Sequence, residues 1–134
     1  ERAGSSHVLH LHGELRKARS TKDPALVIEI PGWELKEGDL CTLGSQLRPH
    51  VVWFGEPVPA IEEAISLVQQ ADIFVVIGTS LRVYPAAALL QYVSGEAAVY
   101  IIDPAEVSSF DDRKYTLIRE KATKGIEILM DSLD

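Results

Sequence analysis

Ala71-Asp-Ile-Phe-Val-Val-Ile-Gly-Thr-Ser-Leu-Arg-Val-Tyr-Pro85 decides the fold. Its apolar run, Ile73 to Ile77, does not alternate and stops at Gly78. That pattern suits a strand covered on both faces in a parallel sheet, and it is read here as the central strand. In open α/β sheets ligands bind at the carboxyl ends of the strands, so the residues after Ile77 carry the functional interest. Gly78 permits close backbone approach, and Thr79 and Ser80 offer hydroxyl and N–H groups to ribose or phosphate oxygens. The same three residues also suit a plain strand-to-helix turn with a Ser or Thr cap.

On the N-terminal side, Ile61, Ala64, Ile65 and Val68 recur at helical spacing, predicting an amphipathic helix over 60–70 that feeds the strand. Downstream, Pro85 suits a first helical turn, a helix continues from Ala86 to Val93, and Gly95 suits its end. Ala98 to Ile102 is a second unalternated strand, closed by Asp103-Pro104. Asp103 at that strand end is placed to accept a hydrogen bond from a ribose hydroxyl, and equally to form an Asx turn before proline. Ile126, Leu129, Met130 and Leu133 form the apolar face of a closing helix, with Met130 as core filler.

The first half is more broken. His7 to Leu11 alternates and predicts a short strand ending at His12-Gly13, with His10 and His12 on one face. A His-x-His pair can bind a metal, but no carboxylate or third histidine at ligand spacing completes a site. The remaining readings for His12 are a histidine satisfied by core hydrogen bonds and a catalytic base. Arg16 to Pro24 is polar and basic, a predicted surface loop; Leu26 to Ile30 is a short strand stopped by Pro31-Gly32; Glu34 to Gly44 is turn-rich. Val51 to Phe54 is a compact strand bracketed by Pro49 and by Gly55, Pro57 and Pro59. The Gly55-Glu56 edge beyond it could accept an extended peptide by strand addition, or could be only a stiff, proline-rich turn.

Length and composition bound the rest. The 134 residues, 46% hydrophobic, suit one domain or part of one. A net charge of −7, without a Lys/Arg cluster, argues against a nucleic-acid surface. One cysteine, Cys41, excludes an internal disulfide framework and a four-cysteine zinc site. With no long apolar run, no membrane span is expected, and a cytoplasmic setting is the default reading.

Taken together, His-Gly at 12–13, Leu-Arg-Pro-His-Val-Val-Trp-Phe-Gly-Glu at 47–56, Gly-Thr-Ser-Leu-Arg-Val-Tyr-Pro at 78–85 and Ile-Asp at 102–103 resemble the sirtuin family of NAD-dependent protein deacylases. The resemblance implies an α/β fold: a partial Rossmann-like parallel sheet flanked by helices over 45–134, with a small irregular subdomain at about 16–44 in place of the zinc module of many members. It further implies a zinc-less, bacterial-type member matching only the C-terminal part of the catalytic domain. The family's Gly-Ala-Gly phosphate loop and Gln-Asn-x-Asp segment lie upstream of the catalytic histidine and have no counterpart here.

By the same resemblance His12 is the general base that deprotonates a ribose hydroxyl of NAD. The acyl oxygen of a modified lysine attacks the nicotinamide ribose and expels nicotinamide, and the activated hydroxyl then receives the acyl group. Val52 and Phe54 line the acyl-lysine tunnel, while the backbones of Gly55, Glu56 and Val83 clamp the substrate peptide. Gly78, Thr79, Ser80 and Asp103 face the adenosine ribose, and Ala122 approaches adenine. Most members carry Asn where this chain has Asp103. No metal is expected. The partners implied are an acyl-lysine protein and, through an exposed sheet edge, a second copy of the chain. Two readings compete with the deacylase: a non-catalytic nucleotide-binding or interaction module, and a metal-dependent hydrolase built on His10 and His12.

Overall fold

The computed structural model describes residues 1–79, 84–105 and 114–133. The chain divides into two compact units, Glu1–Ala60 and Ile61–Asp134.

In the first unit, β1 (Gly13–Ser20) lies between β2 (Val27–Glu29) and β3 (Leu47–Val51), antiparallel to both. Two expectations change here. His7 to Leu11 forms no regular element, and the strand instead runs through the basic segment read as a loop. The reason is pairing: Lys17, Ala18 and Arg19 face Glu29, Ile28 and Val27 on one side, and Ala18 to Ser20 face Pro49 to Leu47 on the other. Ala18 and Ser20 are buried while Leu15 and Arg16 are exposed, so the side-chain alternation is disguised by the short buried residues. β3 likewise begins and ends earlier than the predicted Val51 to Phe54, and includes Pro49. As an edge strand it tolerates a residue that lacks an N–H donor.

Ala18, Cys41 and Leu47 make the buried centre of this unit, with Leu26, Ile30 and Leu35 packed around them. The small irregular subdomain that the resemblance implies at about 16–44 thus shares its core with β3, whose residues the resemblance places in the Rossmann-like part over 45–134.

The second unit holds helix α1 (Ile61–Gln69), strand β4 (Ile73–Ile77), a 3₁₀ helix over Ala86–Tyr92, β5 (Ala98–Ile102), β6 (Thr116–Ile118) and helix α2 (Ala122–Leu133). β4, β5 and β6 pair in parallel, in that order. The predicted 86–93 helix is present but wound as a 3₁₀ helix, a tighter form usual in short connectors. Among the described strands β5, not β4, is central. Ile101 and Ile102 on β5 are fully buried, whereas Ile73 and Ile77 on the edge strand β4 are 46% and 42% exposed.

Ala64 and Val68 are the buried positions of α1, as the helical spacing predicts. In α2 the buried pair is Gly125 and Leu129, while Met130 is 55% exposed and Ile126 and Leu133 are also exposed, which corrects Met130 as core filler. The cause is closeness: a Cβ on Gly125 would lie 2.1 Å from Ile102 Cγ2, so α2 approaches β5 along the face that carries Gly125 and Leu129.

Candidate functional site

His12 sits on the turn that precedes β1. Gly13 N donates to His10 O at 3.1 Å, and Val52 N donates to His12 O at 2.9 Å, so the turn is tied to the end of β3. Gly13 has φ +86°, and a Cβ there would lie 2.1 Å from the carbonyl oxygen of His50. Only glycine fits that approach. The His12 side chain is exposed, and its ring makes no hydrogen bond or ion pair with another described residue. His10 differs: its Nε2 lies 3.1 Å from a carboxylate oxygen of Glu1 and 3.7 Å from one of Glu14. Among the described residues no group of three or more His, Cys, Asp or Glu side chains converges as metal ligands would.

After β3, Val52 is half-buried, Trp53 is exposed and Phe54 is 98% exposed. The next residues form a tight turn in which Glu56 N donates to Trp53 O and Trp53 N donates to Glu56 Oε2, both at 3.0 Å. Gly55 at φ +87° makes the bend. The Glu56 carboxylate also accepts Arg48 Nη1 on Oε1 at 2.6 Å, Arg48 Nη2 on Oε2 at 3.1 Å and Arg19 Nη2 at 3.2 Å. Hydrogen bonds from Arg48, then from the Trp53 amide, bring its pKa down to about 2. Glu56 is therefore an ion that fixes the shape of the Trp53 to Glu56 turn. The resemblance assigned only its backbone.

His50 faces Glu14 across the β1–β3 pair. Its Nδ1 is buried with no partner among the described residues, and burial, reinforced by the Arg19 charge, pushes its pKa down. Both effects favour the uncharged imidazole. Cys41 is held by the hydroxyls of Ser20 and Ser45, 3.4 and 3.1 Å from its Sγ, which bring the thiol down to about 7.

In the second unit the parallel register aligns Ile77, Ile102 and Ile118. The next residues, Gly78, Asp103 and Arg119, therefore share the carboxyl end of the sheet. The ladder runs one step further, with Gly78 N donating to Ile102 O at 2.9 Å and Asp103 N to Ile118 O at 3.2 Å. Gly78 has φ +63°, and no atom of the described residues lies within 4 Å of where a Cβ would stand. Thr79 follows, half-buried. Asp103 Oδ1 accepts the Ala105 N–H at 2.8 Å, the Asx turn open to it from sequence. Ala122 is the first residue of α2, on the same side of the sheet. Ser80 and Val83 lie outside the described residues.

The family model of the Sir2 family matches residues 1–85. The chain is 52% identical to an NAD-dependent protein deacylase of Bacteroides thetaiotaomicron, over 96% of this chain and 57% of that protein. Among solved structures it resembles a Sir2 homologue in complex with NAD, with a TM-score of 0.80, 35% identity and coverage of 99% of this chain and 55% of that one. It also resembles Sir2Tm bound to a propionylated peptide, with a TM-score of 0.77, 30% identity and coverage of 98% and 58%. The chain belongs to the Sir2 family, the sirtuins. It spans a little over half the length of the relatives it matches.

Arg19 and Arg48 escaped the sequence reading. Arg48 stands eight residues before Glu56, but Arg19 stands 37 before it, and only the β1–β3 pairing brings the two arginines to one carboxylate.

Proposed function

We propose that the protein carrying this chain is an NAD-dependent protein-lysine deacylase, moving the acyl group from lysine to ADP-ribose and releasing nicotinamide. The observation that carries the reading is His12: an exposed imidazole without a partner among the described residues, on a turn held by Gly13 and by the Val52 amide. A base must have a free ring nitrogen and a fixed place, and this one has both. Support comes from a relative that is an NAD-dependent protein deacylase and from solved relatives holding NAD and a propionylated peptide.

Within the first unit, Val52 and Phe54 supply apolar contact for the acyl-lysine stem, and the backbone of the exposed Gly55 and the carbonyl of Glu56, whose N–H is already bonded to Trp53 O, offer peptide groups for main-chain pairing. The Glu56 carboxylate keeps that turn in shape through Arg48 and the Trp53 amide. Within the second unit, Gly78, Thr79 and Asp103 receive the adenosine ribose, with Ser80 beside them in sequence, and Ala122 approaches the adenine. Asp103 keeps one carboxylate oxygen for its own turn and has the other for a ribose hydroxyl. Val83, outside the described residues, is assigned to the substrate peptide by the family motif alone.

A cytoplasmic setting and association of two copies through an exposed sheet edge belong to the same proposal. No helix among the described residues is long and apolar enough to cross a membrane. The test is nicotinamide release from NAD by the full-length protein, with and without an acetyl-lysine peptide. Release that requires the acylated peptide supports the reading. Release that is unchanged with an unmodified peptide, or no release with any of several acyl groups, defeats it.

A further inference from the structure

A cleft of about 390 Å³ in the first unit is not used by the chemistry above. Its polar side is made by Arg19, Arg48, Glu56 and Thr21. Three prolines, Pro24, Pro57 and Pro59, supply rigid apolar walls. The volume lies within the range of small-molecule sites, which pair apolar walls with a few fixed polar groups.

The charges do not balance. Two guanidiniums face one carboxylate, and Glu56 stays ionised at any working pH. That carboxylate already accepts four donors: Arg48 twice, Arg19 and the Trp53 amide. Arg48 is paired with it through both terminal nitrogens, whereas Arg19 donates one hydrogen bond from a side chain only 13% exposed. A guanidinium carries five N–H donors in a planar fork. Arg19 therefore brings a largely desolvated positive charge, with donors that no described residue uses, to the wall of an open cleft.

We propose that this cleft binds a small organic monocarboxylate with an apolar body, its carboxylate on the Arg19 guanidinium and its body against the three prolines. A planar carboxylate matches the guanidinium fork. A single negative charge fits the net excess, because Glu56 stands 3.2 Å from Arg19 and opposes a second. Thr21 adds polarity at the rim: its hydroxyl donates to Gln46 O at 2.8 Å, which leaves its oxygen free to accept.

The proposal is independent of the deacylase reading, since binding is measured with neither NAD nor peptide present. Benzoate is titrated into the full-length protein by calorimetry and by heteronuclear NMR, with benzamide as the neutral isostere and inorganic phosphate as the ion alone. Saturable benzoate binding, at least tenfold weaker in Arg19→Gln and absent for benzamide, is expected. Benzamide binding as well as benzoate, phosphate binding as tightly, an unaffected Arg19→Gln variant or no saturable binding each overturns the proposal. Should Arg19→Gln fail to fold, the wild-type protein still decides. The groups acting on His50 are Arg19, Glu14 and Lys17. A carboxylate on Arg19 offsets the charge that helps depress the His50 pKa, so saturating benzoate raises the His50 titration midpoint. An unmoved midpoint overturns the proposal.

Discussion

Gly125→Ala sets two effects of opposite sign against each other. Gly125 lies inside α2, where alanine is favoured over glycine by about 1 kcal/mol on helix propensity alone. Against that, the new Cβ would stand 2.1 Å from Ile102 Cγ2, roughly 1.5 Å short of the ~3.6 Å at which carbons pack. Ile102 is fully buried on the central strand and its carbonyl accepts the Gly78 amide, so it cannot swing aside cheaply. Overpacking of this kind costs about 1–3 kcal/mol, and with so little room to yield the upper end applies. The net expectation is a loss of about 2 kcal/mol, or a melting temperature lower by about 8 °C. Thermal and urea unfolding of the two proteins measure it. Adding Ile102→Ala removes the clashing methyl, so Gly125→Ala becomes neutral or stabilising in that background. A single Gly125→Ala variant as stable as wild type, or more so, would show that α2 does not approach β5 as described.

Other substitutions test other joints. Gly13→Ala forces a Cβ toward the His50 carbonyl at φ +86°, so it costs at least about 2 kcal/mol and speeds hydrogen exchange at the Val52 amide; unchanged exchange there contradicts the tie between the His12 turn and β3. Leu129→Ala costs about 2–4 kcal/mol while Met130→Ala stays within about 0.5, and equal losses in urea melts would contradict the assignment of the buried face. Glu56 has a lower pKa folded than unfolded, so its contribution is complete above about pH 4.5 and disappears as pH falls towards 2. Stability of Glu56→Gln is accordingly lower at pH 7 and flatter than wild type across that window, and parallel pH curves for the two would remove the carboxylate from the account.

Much of the second unit was legible because its signals are local. The unbroken apolar runs of β4 and β5, the helical spacing of α1, and the Gly78 and Asp103 strand ends each need only neighbouring residues to be read. β6, three residues long, carries too little pattern to stand out, and its place depends on pairing with β5. β1 was misread because it is defined by two partners distant in sequence: Lys17 and Arg19 look like loop residues until Glu29, Val27 and Arg48 stand opposite them. The family motifs pointed to the Gly55-Glu56 edge, yet the Glu56 carboxylate network stayed hidden, since no spacing rule links Arg19 to a residue on another strand. Met130 was assigned to the core from helical periodicity, which finds an apolar stripe but not how closely a glycine lets one edge of it approach the sheet.

In the proposed deacylase, His12 acts as the base for one step only, the deprotonation of a ribose hydroxyl. In the same proposed reaction, nicotinamide expulsion comes earlier and needs no base. The most direct measurement therefore compares two activities of the full-length protein and its His12→Ala variant: deacylation of an acetyl-lysine peptide, and exchange of labelled nicotinamide into NAD in the presence of that peptide. Deacylation is expected to fall by about 10²–10⁴-fold with exchange retained. Deacylation that survives the substitution, or exchange that falls in step with it, would contradict the role given to His12.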